Sequence, residues 1–271
     1  MSSKQAQWYH SMNFTYLKEW DDETKKHGTI NTWDDWHLIP TSRPVFNPPK
    51  VKEVYIDIPG GNGKIDMTES LAGYPLYDNR EGSFEFIVAN GYRPLWIGGY
   101  QKFMNWLHGK DLVCVLDDDP SYYYTGRFDI DNWKSNNDGT WSNVTFNYKV
   151  APYKLSKRLS TDDWLWDPFC FDTDIIHPKT VFDIRGETKV VIFNNRMPVI
   201  PVIYFYPDYL SSNNSNPRVL STLTISTSKT TIKGIKAGEF RDPRLEMLEG
   251  ENEITLTGYG RVAIKYREGS L

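Results

Sequence analysis

The sequence predicts a mainly β chain of two domains, an N-terminal α+β domain and a C-terminal β-sandwich. Three observations predict it. Runs of alternating apolar and polar residues recur from end to end, the period-2 pattern of half-buried strands. A single stripe at helical spacing, Tyr100, Phe103, Met104 and Leu107, interrupts them. The composition then changes: all 10 tryptophans lie at or before Trp166, and residues 1–155 carry 16 Lys+Arg against 20 Asp+Glu where residues 156–271 carry 15 against 15. These shifts set a first domain at 1–155, a linker at 156–175 and a second domain at 176–271.

The elements follow in chain order. Trp8, His10, Met12, Phe14 and Tyr16 alternate with smaller or polar neighbours as one strand. Residues 40–49 hold Pro40, Pro44, Pro48 and Pro49, which remove backbone donors and favour an extended loop. Val54, Ile56 and Ile58 alternate with Tyr55 and Asp57 before Pro59-Gly60-Gly61-Asn62-Gly63 ends the strand. Phe84, Phe86 and Val88 make another, and the helix over residues 100–107 stops at Gly109, since glycine takes the left-handed conformation past a helix end without a Cβ penalty. The apolar run Leu112 to Leu116 suits a buried strand; Tyr124 to Ile130 and Val144 to Val150 alternate again. In the second half the expected strands are 189–193, 200–206, 219–225, 253–256 and 262–266, with Thr257-Gly258-Tyr259-Gly260 as a hairpin loop and Asn213-Asn214 in a polar surface loop.

Composition also excludes. An apolar content of 39% over 271 residues is enough for a core, and no run of 18 apolar residues spans a membrane. The start, Met-Ser-Ser-Lys-Gln-Ala-Gln, lacks the apolar segment of a secretory signal. A net charge of −4 argues against whole-chain nucleic-acid binding, which needs a clustered Lys/Arg excess. Cys114 and Cys170 sit in apolar or aromatic runs and read as buried thiols.

Catalytic and metal signals are weak. Gly60 to Lys64 lacks the glycine and the Ser/Thr that a phosphate loop needs at 58 and 65, where Ile58 and Ile65 stand, so a hairpin turn is expected. Asp117-Asp118-Asp119 before Pro120 reads as an acidic turn, and Asp129 and Asp131 fail as a calcium loop because Trp133 takes an oxygen-ligand position. His10, His27, His37, His108 and His177 show no ligand spacing, and no nucleophile motif is present. No enzyme activity, cofactor or metal is therefore expected.

Several segments taken together carry a resemblance: Trp33-Asp34-Asp35-Trp36-His37-Leu38-Ile39-Pro40-Thr41-Ser42-Arg43-Pro44, Asp57 to Asp66, Glu69-Ser70-Leu71-Ala72-Gly73-Tyr74-Pro75, Asn79 to Phe86, Leu107-His108-Gly109, Asp118-Asp119-Pro120, Asp167-Pro168-Phe169, Gly250 to Ile254 and Ile264 to Gly269. Their order resembles the distal tail proteins of long, non-contractile-tailed bacteriophages. The resemblance is densest from about Gly28 to Pro152 and does not extend through residues 206–245.

What it implies is a hexameric ring hub at the virion tail tip. The first domain would be tail-tube-like and build the ring; the second, a galectin-like β-sandwich, would sit outside it as a docking platform. The implied partners are five further copies, the tail tube protein, the tape-measure protein, a tail-tip or tail-associated lysin protein and receptor-binding proteins, with viral DNA passing the lumen without specific binding. A negative first domain suits such a lumen, because it repels phosphate. Trp33, Trp36, Arg43, Pro44, Pro48 and Pro49 are the expected subunit-interface residues, since a donor-poor stretch pairs badly in its own sheet but can lie across another chain. The alternative is a carbohydrate-binding host-adhesion module. Residues 167–271 hold no tryptophan, and His177 precedes Pro178-Lys179-Thr180-Val181 rather than the His-x-Asn-x-Arg strand of galectins. A galactoside site of that type is not expected, which leaves Tyr204, Tyr206, Tyr209 and Tyr259 as the aromatic faces able to stack on a sugar.

Overall fold

The computed structural model of the chain describes residues 10–20, 28–88, 93–135, 142–162, 180–210 and 219–271. The chain is mainly β and divides into two compact units, Met1–Lys154 with Leu271, and Leu155–Ser270. Cys170, His177, the Asp167-Pro168-Phe169 segment, the Asn213-Asn214 loop and most of the 156–175 linker lie outside the described residues.

In chain order the first unit contains β1 (Met12–Tyr16), α1 (Leu17–Trp20), β2 (Ile30–Asn31), β3 (Leu38–Pro40), β4 (Tyr55–Asp57), β5 (Lys64–Asp66), β6 (Arg80–Val88), α2 (Arg93–Leu107), β7 (Lys110–Leu116), β8 (Tyr122–Ser135) and β9 (Ser142–Val150), and β10 (Lys154–Ser156) straddles the division. The main sheet runs β2-β1-β7-β8-β9-β6-β3, all neighbours antiparallel. Alternation places Phe14, Phe86, Phe128 and Phe146 on the buried side, each fully excluded from solvent. Their rings meet edge-on or tilted, as Phe14 and Phe128 do at 5.0 Å and 75°, the arrangement the aromatic quadrupole favours. The α2 stripe packs into the same core: Phe103 and Leu107 are buried, and Tyr100 and Met104 flank them. Gly109, with φ 71°, ends the helix as its position requires. Cys114 is a buried thiol, pushed well up in pKa by burial and by the nearby Asp117 charge.

The second unit contains β11 (Val181–Asn194), β12 (Val202–Pro207), β13 (Tyr209–Leu210), β14 (Val219–Leu220), β15 (Leu223–Ser226), β16 (Thr231–Ile235), β17 (Gly238–Phe240), a 3-10 turn over Pro243–Leu245, β18 (Gly250–Lys265) and β19 (Gly269–Ser270). One sequence expectation is overturned here. Thr257-Gly258-Tyr259-Gly260 is not a hairpin loop; it lies inside a single 16-residue strand, β18, that pairs along its length with β11. On its other side β18 pairs with β15 through Thr255–Thr257 and with β12 from Gly260 onward. The glycines serve this handover. A Cβ on Gly258 would come within 2.9 Å of the Thr222 carbonyl, and one on Gly260, at φ 141°, within 2.2 Å of the Tyr206 carbonyl. They mark close backbone approach rather than reversal. The expected strand over 219–225 is likewise broken, into β14 and β15. Ile184, Ile192, Ile203, Phe205, Leu256, Val262 and Ile264 form the centre of this unit's own core.

Candidate assembly interface

The strands β4 and β5 form a two-stranded ribbon that pairs with no other strand among the described residues. Its register sets Tyr55 opposite Asp66, Ile56 opposite Ile65 and Asp57 opposite Lys64. Directly opposed residues share a face, so Ile56 and Ile65 stand on one side together with Val54, Ile58 and Met67. The other side carries Tyr55, Asp57, Lys64 and Asp66. The turn between them uses Gly60 and Gly63, both at positive φ, as the sequence reading expects.

Four polar side chains of the ribbon, Asp57, Lys64, Asp66 and Thr68, are matched within it. Lys64 Nζ lies 3.4 Å from Asp57. The Thr68 backbone N–H donates to Asp66 Oδ1 at 2.9 Å, and the Thr68 side chain also bonds Asp66, holding that carboxyl below its ordinary pKa. The Val54 N–H donates to Thr68 Oγ1. The apolar face has no such match: Val54 is 48% exposed and Ile56 and Ile65 are 50% exposed each. A lone two-stranded ribbon is marginal in water, and covering its open apolar face would stabilise it. Full burial of an aliphatic side chain contributes about 1.5–3 kcal/mol, so covering the remaining half of each gives roughly 1 kcal/mol per residue.

The ribbon's root is firm. Phe46 is buried with its ring 4.0 Å from Tyr124, 4.7 Å from Tyr148 and 5.0 Å from Phe84. The Asn47 N–H donates to Tyr148 Oη at 2.8 Å, and Asn47 Nδ2 donates to the Glu81 carbonyl at 2.9 Å. Arg80, 4% exposed, donates from Nη1 to the Asn47 carbonyl at 3.1 Å and from Nε to the Pro152 carbonyl at 2.8 Å. Burial pushes its guanidinium down in pKa, and the Tyr124 ring lies 5.6 Å below it.

The structure divides the six residues expected at an interface. Trp36 packs on this chain's own core, edge-on to Phe103 at 4.1 Å and Trp106 at 5.5 Å, and Pro44 is buried. Arg43 is exposed but tied down: its Nε donates to Asp118 Oδ2 at 2.7 Å. Trp33 is half-buried and meets His37 edge-on at 5.8 Å. Pro48 is exposed and Pro49 half-buried, and both lead toward the ribbon. The open apolar face of the ribbon is made by Val54, Ile56, Ile65 and Met67, which the sequence reading does not single out. Their alternation was legible, but alternation alone does not tell a strand facing a core from a strand facing open solvent.

The acidic turn Asp117-Asp118-Asp119 joins β7 to β8 and is locked by its neighbours. Asp118 also lies 2.9 Å from His10 Nδ1; burial pushes its carboxyl up, but the hydrogen bonds from Arg43 and His10 outweigh that and hold it low. Asp117 accepts from Asn13 Nδ2 at 2.8 Å and from Ser11 Oγ, and burial raises it. Lys154 Nζ donates to Asp119 Oδ2 at 2.6 Å. Among the described residues no group of three or more His, Cys, Asp or Glu side chains is placed to hold a metal ion, and no helix is long and apolar enough to cross a membrane.

No protein-family model and no curated protein sequence matches the chain. The fold is that of a solved protein. The chain superposes on the crystal structure of the SPP1 Dit protein, described as a paradigm of the hub adsorption apparatus in phages infecting Gram-positive bacteria, with a TM-score of 0.58 at 15% identity, over 96% of this chain and 99% of that one. Mainly β, in two compact units, the chain is similar in fold along nearly its whole length to that phage protein.

Proposed function

We propose that the chain is a structural hub of a phage tail tip: a distal tail protein that joins the tail tube to the host-adsorption apparatus. The observation that carries this reading is the shared fold over 96% of this chain and 99% of a hub adsorption protein, which leaves almost no segment of either unexplained. The resemblance of the segments from Gly28 to Pro152, in their order, supports it independently, because it rests on residues rather than on shape.

In this reading six copies close a ring through the first unit. A ring needs heterologous contacts, in which one surface meets a different surface on the next copy. The β4–β5 ribbon is suited to be one half of such a contact, with its open apolar face laid across the neighbouring first unit. Pro48, Pro49 and Trp33 belong to that contact; Trp36 and Pro44 support it from within. The second unit is the docking platform for receptor-binding and tail-tip proteins, and the role is structural rather than catalytic. The tail tube and tape-measure proteins are its further partners in this reading, and DNA passes the lumen unbound, repelled by the first unit's carboxylates.

Light scattering from the purified full chain over a range of concentrations tests the assembly. A mass of six times 31.5 kDa, reached directly or as concentration rises, supports the hub. A stable two-fold dimer removes it.

A further inference from the structure

The second unit contains a cavity of about 390 Å³, framed by the turn joining β15 to β16, the 3-10 turn, residues 246–249 and the start of β18. Leu245, Met247 and Ile254 line it and belong to this unit's buried core, so they make its floor. Glu249, Glu251 and Glu253 also line it and are exposed, so they make its rim. Lys229, Arg244 and Glu246 complete the charged lining, four carboxylates against two cations.

The walls are fixed by bonds that leave the rim carboxylates out. Asn252 Oδ1 accepts from the Leu248 N–H at 3.0 Å, and Asn252 Nδ2 donates to the Leu248 carbonyl at 2.8 Å and the Gly250 carbonyl at 3.0 Å. Met247 and Val199 exchange two backbone hydrogen bonds, at 2.8 and 3.0 Å. The turn that carries Lys229 is closed by the Thr227 N–H, which donates to the Thr230 carbonyl at 2.8 Å. Of the two cations, Arg244 is already taken: its Nε and Nη2 donate to Asp242 at 3.0 and 2.7 Å, which holds that carboxyl down to about 2. Glu251 and Glu253 stand opposite Phe193 and Val191 on β11, and Lys189 lies two residues beyond Val191, opposite Thr255. No cation faces either glutamate directly across the strand pair. Among the described residues Glu249, Glu251 and Glu253 are in no ion pair.

We propose that this cavity receives a lysine or arginine side chain of a partner protein, its aliphatic stem on Leu245, Met247 and Ile254 and its charged head among Glu249, Glu251 and Glu253. Such side chains lay their methylene stems along apolar surface while the head stays at the edge, the pattern of this floor and rim. The surplus of carboxylates sets the sign of the occupant. A bare metal ion does not answer it, because no three acidic side chains among the described residues are placed to hold one. A small free amine does not answer it either, since the apolar surface continues past the rim: Val191, opposite Glu253, is 49% exposed. A cation carried on a chain covers both the floor and that shoulder. This deepens the docking role proposed for the second unit, and rests on that reading for placing the partner in the tail tip.

The test uses the full chain with labelled methionine methyls, followed by NMR at low salt, with the Met247 signal identified by its loss in Met247→Leu. The probes are capped tripeptides, glycine at each end and lysine, norleucine or glutamate between, titrated to high millimolar concentration. The expected result is a saturable Met247 shift with the lysine peptide, about ten-fold weaker with norleucine, which keeps the stem and lacks the charge, and none with glutamate. A chain with both Glu251→Gln and Glu253→Gln should bind the lysine peptide about ten-fold more weakly at an unchanged unfolding midpoint, since both residues are exposed. No saturable shift with the lysine peptide overturns the proposal, as does an equal response to norleucine or undiminished binding by the double variant. Light scattering on the same samples reads the ring separately. Six-fold mass without lysine binding removes the cavity's role alone, and lysine binding without a ring supports the cavity while removing the hub.

Discussion

Ile56 lies directly opposite Ile65 across the β4–β5 ribbon, and each is half exposed on the same face. Cross-strand aliphatic pairs normally stabilise a sheet by packing against a third layer. Among the described residues no third layer covers this pair, and in the proposed ring the next subunit supplies it.

Ile56→Asp should therefore weaken assembly strongly while leaving the folded chain nearly as stable as the parent. A buried charge at a subunit contact costs several kcal/mol in assembly, whereas an exposed site changes monomer stability by about 0.5 kcal/mol or less. Sedimentation and thermal unfolding on the same samples separate the two effects. An unfolding midpoint that falls with no change in assembly would place the ribbon within this chain's own stability instead.

Arg80→Met should destabilise the first unit by about 2–4 kcal/mol, measured by denaturant unfolding. The guanidinium is the donor to both the Asn47 and the Pro152 carbonyls, and its removal strips those carbonyls of their Arg80 donors. Because it pins Asn47, the same variant should loosen the segment leading to the ribbon, visible as faster amide exchange over residues 45–50.

Trp36→Ala should behave unlike Ile56→Asp. Its ring packs on Phe103 and Trp106, so truncation should lower monomer stability by about 2–4 kcal/mol and affect assembly only through the fold. Trp36 and Ile56 together show what the sequence could and could not reveal. Most of the strands and the Tyr100–Leu107 stripe are legible because each is written in local periodicity. The Gly258–Gly260 segment was misread because a glycine that permits close strand approach looks like a turn glycine until the partner strand is known. The expected interface residues lie in or beside the proline-rich stretch, whose poor backbone pairing is visible in sequence. The open face of the ribbon is visible only in the sheet order, which pairs it with no other strand among the described residues.

The Arg43–Asp118–His10 contact should fail in acid. Asp118 has a lowered folded pKa, so its contribution to stability is present in full above the unfolded carboxylate value of about 3.9 and is lost as pH falls through the folded value. The stability difference between the parent and Asp118→Asn should be constant above about pH 5 and shrink toward zero below about pH 4. A difference that grows on acidification would contradict this assignment.

Gly260→Ala should destabilise the second unit by about 2–4 kcal/mol, through the contact with the Tyr206 carbonyl and a backbone conformation that L residues rarely adopt.

The central claim is the ring, and the symmetry of the assembled particle tests it most directly. Electron-microscope class averages of the concentrated full chain should show closed rings with six-fold symmetry, absent in Ile56→Asp. Particles with two-fold symmetry, or six-fold rings that form unchanged in Ile56→Asp, would contradict an assembly built through the β4–β5 ribbon.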